Sequence, residues 1–267
     1  MSSAAALRIQ IERAMEHRFP AALTPVPRTI REVAATGVSE VDVLLDGGLP
    51  VGAISELTGP QSSGRTSLAL AFVAQRTRTE HVCAWVDSCN AFDPESAAAS
   101  GVSLQQLLWV RCTDSSEHDL AVASAKSMIW KRRPWTRLDQ AVRATDLLLQ
   151  AGGFAAIVLD LGDTAPEHGN RIPLATWFRF RQAADRTRCC LVVLAKAAYA
   201  QSSAALVLEC SAMHAKNTGE TVLRGLTFEA QQGRVTAAAF TPVMNLRRKP
   251  PATTWSVNAA WQAEKRV

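Results

Sequence analysis

The residues Gly59-Pro60-Gln61-Ser62-Ser63-Gly64-Arg65-Thr66-Ser67 combine two glycines, three serines, a threonine and one cation within nine positions. Two glycines five apart, followed by a basic residue and a Thr, wrap backbone N–H groups around phosphates. The cation then reaches the outer phosphates and the hydroxyl holds Mg²⁺. Arg65 stands where that pattern carries lysine. It keeps the charge, but its planar, longer fork is not a geometric copy of an ammonium. The chemistry on offer is binding of a phosphorylated ligand, with Gly59 to Ser67 as the cradle.

A loop of this kind works only between a strand and a helix N-terminus aimed at the anion. Ala53–Leu57 reads as the incoming strand, and the apolar run from Ser67 as the outgoing helix. Further on, Val82–Asp87, Leu107–Val110, Ala156–Asp160 and Leu191–Leu194 are apolar without polar alternation, so both faces of these strands should be covered. Helical patterns over Ser67–Arg78, Leu138–Ala151 and Leu174–Ala184 separate them. The expected fold is α/β, a mostly parallel, helix-covered sheet. Ala204–Cys210, Leu223–Ala230 and Val235–Phe240 read as antiparallel strands on its C-terminal side, the last two turning at Gln231–Arg234. Residues 1–19 form an amphipathic helix with Leu7, Ile11 and Met15 on one face, residues 20–35 a proline-bearing linker, 36–244 the core. Residues 245–267 read as a basic, mobile tail with Trp255 and Trp261 as anchors.

The 267 residues, 48% hydrophobic and 20% charged, describe an ordinary globular chain. No apolar run approaches the roughly 18 residues of a membrane span, and no leader pattern is visible, so a cytoplasmic protein without membrane contact is expected. Six cysteines without C-x-x-C or Cys/His pairing read as buried reduced thiols. The five histidines show no ligand spacing, which leaves a zinc site or hydrolytic triad without support. Net charge is +5, concentrated in 126–137, 171–188 and the tail, a distribution suited to a polyanion. In the first cluster Lys126, Trp130, Lys131, Arg132, Arg133 and Arg137 interleave aromatics with cations. Such a stretch can stack bases and neutralise phosphates of a single strand, or anchor a protein partner.

Several of these residues resemble the RecA recombinase family. Thr36-Gly37, Val41-Asp42, Gly47-Gly48-Leu49-Pro50 and Gly52 look like its segment before the phosphate loop, and the loop follows in register. Asp87, Phe92-Asp93-Pro94, Gly101-Val102 and Leu107-Leu108 match the runs beyond, and Asp160 looks like its Walker B carboxylate. The resemblance covers residues 36–112 well and 138–210 more loosely. It implies a RecA-like phosphate-loop core that takes ATP and Mg²⁺, with Thr66 on the metal and Asp160 holding it through water.

The departures are as informative. Cys89 occupies the place of the family's water-activating glutamate, and a thiol is a poor replacement for a carboxylate base. Lys196 stands where the family has its γ-phosphate-sensing glutamine, and the second DNA loop is compressed into Ala197–Ser203. About twenty extra residues, Asp119–Arg137, precede the helix before Asp160. A RecA relative of this description is similar to the ImuA mutasome accessory proteins. That likeness implies a damage-response role in translesion synthesis, with single-stranded DNA, polymerase-complex proteins and self-association or RecA contact as partners, and ATP hydrolysis slow or absent. A functional recombinase and a SulA-like division inhibitor are the alternatives.

Overall fold

The computed structural model describes residues 32–113, 136–162, 164–218, 222–235 and 251–258. The chain divides into units Met1–Ile30 and Arg31–Val267, and all the described residues belong to the second. The amphipathic helix read at residues 1–19 lies outside the described residues.

A short ribbon, β1 (Val33–Ala34) with β2 (Leu49–Pro50), encloses helix α1 (Ser39–Leu44). The main sheet then builds from β3 (Ile54–Thr58), β4 (Cys83–Asp87), β5 (Leu107–Arg111), β6 (Ala156–Asp160) and β7 (Cys190–Ala195). It is completed by β8 (Ala204–Thr218), β9 (Val222–Val235) and β10 (Ala252–Asn258). Their order across the sheet is β10-β9-β8-β3-β7-β6-β4-β5. The six strands from β8 to β5 run parallel, and β9 and β10 extend the sheet antiparallel.

Every residue of β3, β4, β6 and β7 is buried, because helices cover both faces. Alternate residues feed two cores. Trp85, Val158 and Val192 point to the face of α2 (Arg65–Arg78), where Leu68 and Phe72 pack. Val86, Ile157 and Val193 point to the face of α4 (Arg137–Ala151) and α6 (Leu174–Thr187), where Leu149, Trp177 and Phe180 pack. Two shorter helices, α3 (Pro94–Ala99) and α5 (Pro166–Gly169), sit in the connections. Helix α4 starts where its sequence allows. Thr136 accepts from the Asp139 N–H while the Asp139 carboxylate accepts from the Thr136 N–H, a reciprocal cap.

The expected strands are present within a residue or two at each end, but Leu107–Val110, read as covered on both faces, lies in β5 at the sheet edge, where Leu108 is exposed because no further strand or helix follows on that side among the described residues. The C-terminal side differs. Gln231–Arg234 lie inside β9 rather than in a turn, with Gln231 opposite both Glu209 and Ala252. The polar run resembles a turn in sequence, but Gln231 and Gln232 are paired on both edges, with β8 on one side and with Ala252 and Pro251 on the other. Likewise β10 falls within the stretch read as mobile, and Trp255 is buried there. Among the described residues no helix is long and apolar enough to cross a membrane.

One polar group in the core stands out. Glu56, in the middle of β3, is fully buried. Its Oε1 accepts the backbone N–H groups of Tyr199 (2.7 Å) and Ala200 (2.9 Å), while Oε2 has no hydrogen-bond partner among the described residues. Burial pushes this carboxyl above the usual range, and the two N–H groups pull it partly back. A raised acid stabilises the fold while protonated, so that contribution is lost as pH rises through the folded value. Glu56→Gln keeps the accepting oxygen without the charge. Urea unfolding from about pH 4 to about pH 8 should show wild type losing stability relative to the variant, by about 1.4 kcal/mol per unit of pKa displacement. A gap that does not move with pH excludes titration of Glu56 in the fold.

Candidate functional site: the phosphate loop and the strand ends

The loop begins where β3 stops. The Gly59 N–H donates to the Ala195 carbonyl (3.1 Å), and a Cβ on Gly59 would stand 2.2 Å from the carbonyl oxygen of Cys210. Only glycine lets β8 pass this close. Ser62 and Gly64 are both left-handed, with φ of 60° and 84°. Gly64 is the N-cap of α2 and offers no side chain to the helix start. The first-turn N–H groups of α2 are thus left for an anion, the arrangement in which helix dipole and backbone donors act together. The Ser63 hydroxyl is buried with no partner among the described residues, an orphan donor that a phosphate oxygen would satisfy. Gln61, Ser62, Thr66 and Ser67 are exposed around it.

Gly64 is also pressed from outside. A Cβ there would lie 2.6 Å from the Phe228 ring and 3.0 Å from the Trp255 ring. These two buried aromatics, from β9 and β10, pack with centroids 5.3 Å apart and planes tilted by 33°. The antiparallel extension is therefore a wall of the loop.

The parallel register brings the other groups alongside. Thr58 pairs with Ala195, Leu194 with Asp160, and Asp160 with Asp87, so four strands end at one edge. Asp160 is buried, and its Oδ1 accepts from the Gly162 N–H (2.9 Å). Its carbonyl accepts both the Ser88 hydroxyl (2.6 Å) and the Ser88 N–H (3.2 Å), tying the ends of β6 and β4 together. Asp87 spends its carboxylate on the N–H groups of Cys89, Ala91 and Phe92, shaping the turn that carries Cys89. Asp93 caps α3 through the Glu95 and Ser96 N–H groups. Hydrogen bonds from Ser96 hold its exposed carboxyl below the usual range. Arg65 is buried, and its guanidinium donates to the carbonyls of Gly59, Ala195 (2.9 Å) and Gly162 (3.0 Å).

The structure brings Gln61 through Ser67 together with Asp160 around a cleft of about 350 Å³. Pro60 is exposed and off its lining. Cys89 and Ala91 form one wall, and Leu226 and Phe228 the other. Nothing in the sequence marks Leu226 or Phe228, since one apolar strand residue resembles another. Glycine and hydroxyl donors in the cradle, with Thr66 and Asp160 on one cleft, fit a phosphorylated ligand and an oxygen-liganded cation. No group of three or more His, Cys, Asp or Glu that could hold a metal by itself occurs among the described residues. Five of the six cysteines are buried, and burial raises Cys83 and Cys210 to about 12 and Cys112 and Cys190 to about 11. Cys89 is the half-exposed thiol.

A second, larger cleft of about 990 Å³ opens on the other side of Cys89. Arg137, the first residue of α4, lines it with Arg143, His168, Arg171 and Arg179. Buried Asp146 holds Arg179 at 2.9 Å and Arg143 at 3.9 Å. Lys126, Trp130, Lys131, Arg132 and Arg133 lie outside the described residues. The lining arginines of α6 and the turn before it belong to the 171–188 charge cluster of the sequence.

Fold and loop thus define a phosphate-loop α/β protein with an extra strand, β7, between the loop strand and the Asp160 strand. Comparison with known proteins specifies it further. A model of the RecA N-terminal domain matches residues 6–129. Protein RecA of Allorhizobium ampelinum is 30% identical over 178 residues, which are 61% of this chain and 43% of that protein. Protein RecA of Crocosphaera subtropica is 39% identical over 113 residues, 42% of this chain and 32% of that one. The chain spans less than half the length of these curated relatives. The crystal structure of the RadB recombinase superposes with a TM-score of 0.53 at 16% identity, covering 83% of this chain and 94% of that one. Sequence matches and fold agree on a RecA-like core.

Gly64→Ala combines a strained left-handed φ with collision against two buried rings, and should cost roughly 2–5 kcal/mol in urea unfolding. Because part of that cost is contact with Phe228, it should shrink in a Phe228→Ala background. An equal penalty in both backgrounds would rule out the ring contact.

Proposed function

We propose that this chain is a RecA-like nucleotide-binding accessory protein of the DNA damage response, supporting translesion synthesis rather than strand exchange. The observation that carries the reading is one cleft combining an uncapped phosphate loop with a thiol, Cys89, at the place of the family's catalytic glutamate. ATP phosphates would be held by the backbone N–H groups of residues 62–67 and the hydroxyls of Ser62, Ser63 and Ser67. Mg²⁺ would be held by Thr66 and, through water, Asp160. The metal supplies charge neutralisation at the phosphates when bound. The chain's own residues bind and orient the nucleotide, and among the described residues lining the cleft Asp160, assigned to the metal, is the one carboxylate. Asp87 and Asp93 are both committed to backbone N–H groups. A recombinase needs that catalytic glutamate, and a SulA-like inhibitor has no use for a folded phosphate loop.

The arginine-lined cleft beside Cys89 supports single-stranded DNA as a partner, through phosphate contacts. The basic, aromatic stretch 126–137 that leads into α4 adds a surface for DNA or for polymerase-complex proteins. Self-association or contact with RecA would use the apolar stripe Leu7, Ile11 and Met15.

Titration calorimetry should find Mg-ATP binding that Thr66→Ala weakens, with turnover about 10²–10⁴-fold below that of a recombinase. Recombinase-level turnover abolished by Thr66→Ala would refute the accessory reading. Single-stranded DNA affinity should fall with salt at a log–log slope of about −0.7 per phosphate contact. Arg137→Ala and Arg171→Ala should each flatten that slope by about 0.7. Affinity flat in salt would remove DNA from the proposal.

A further inference from the structure

The side chain that replaces the phosphate-loop lysine is used differently from a lysine. Both hydrogens of Arg65 Nη1 are taken by the carbonyls of Gly59 and Ala195, and Nη2 donates to the Gly162 carbonyl. These carbonyls follow β3, end β7 and follow β6, so one planar fork joins three neighbouring strand ends. An ammonium presents its donors from a single point on a shorter stem and does not span that arrangement. Gly162 is shaped for it. A Cβ there would sit 3.2 Å from Arg65 Nη2 and 3.0 Å from Asp160 Oδ1, crowding both. The guanidinium is buried among acceptors, and reaching outward would surrender three charge-assisted bonds together.

We propose that Arg65 is a positioning residue, a strap that closes the phosphate loop onto β3, β6 and β7 from beneath and leaves the phosphates to backbone N–H groups and hydroxyls. This rests on the nucleotide reading of the same loop. The loop is then preformed before ligand arrives, and its affinity for phosphate does not draw on the charge of Arg65.

The test compares the full chain with Arg65→Lys, which keeps the charge and removes the fork. The strap requires the thermal midpoint to fall by roughly 4–10 °C. It also requires Mg-ATP affinity, by calorimetry, to stay within about threefold of wild type or to rise as the ammonium is freed. An unchanged midpoint overturns the strap, whatever happens to affinity. If midpoint and affinity both fall, nitrogen-15-labelled arginine in the wild-type chain decides. The guanidinium signal missing from the Arg65→Lys spectrum must keep its slowly exchanging Nη protons at saturating Mg-ATP. Loss of that protection on adding nucleotide overturns the strap. If wild type binds no nucleotide, the functional reading fails while the midpoint shift still decides the strap. An Arg65→Lys chain that does not fold, beside a Thr66→Ala chain that does, counts for it.

Discussion

Parallel pairing of β3, β7, β6 and β4 in one register is the constraint from which the site follows. Parallel strands start and stop in step, so the residues leaving each strand are delivered to one edge regardless of their separation in sequence. Thr58, Ala195, Asp160 and Asp87 are neighbours there for that reason. Backbone N–H groups satisfy the carbonyls at those ends only in part, as Gly59 does for Ala195 and Ser88 for Asp160, and adjacent side chains take up the remaining lone pairs. Ser88 answers the carbonyl of Asp160, and Arg65 answers those of Gly59, Ala195 and Gly162. The polar chemistry of the site is in large part the completion of the sheet's own hydrogen bonding.

The same edge links the two clefts. The turn carrying Cys89 is fixed by the Asp87 carboxylate and by Ser88 on β6, and Cys89 lines both the phosphate cleft and the arginine cleft. A ligand that moved this turn in one cleft would alter the wall of the other. Glu56 makes a parallel connection from the strand under the loop. Its carboxyl group holds the backbone of Tyr199 and Ala200, and the Tyr199 ring fills the space over Gly169, the last residue of α5, next to His168 and two residues before Arg171. The phosphate-loop cleft and the arginine-lined cleft thus share two supports.

Much of this arrangement is legible in the sequence. Buried strands declare themselves as apolar runs without alternation, and Gly59 to Ser67 declare a loop because glycine and hydroxyls at that spacing have few other uses. Asp160 is legible as the end of such a run. The wall of Leu226 and Phe228 is not, because its role depends on which face of β9 meets Gly64, a tertiary fact without a local pattern. The polar run Gln231–Arg234 misleads for a related reason. Turn propensity is local, whereas pairing of Gln231 and Gln232 on both edges carries β9 through the run. Arg65 is readable as a departure from lysine, but the direction of its guanidinium depends on carbonyls from three separate segments.

The phosphate loop is therefore held between two agents that a motif does not contain. Below it, a guanidinium gathers strand ends, and above it, two packed aromatics from β9 and β10 bear on Gly64. A loop held on both sides would have little conformational freedom left to lose when a ligand binds. Such a cradle would suit a ligand that stays bound, and the half-exposed thiol of Cys89 lines the same cleft. A supported cradle and a thiol in its wall are both what the proposed accessory role would need. A nucleotide bound in this cleft would act as a lasting part of the protein's surface rather than as fuel, and the arginine cleft across Cys89 is the surface it would most directly shape.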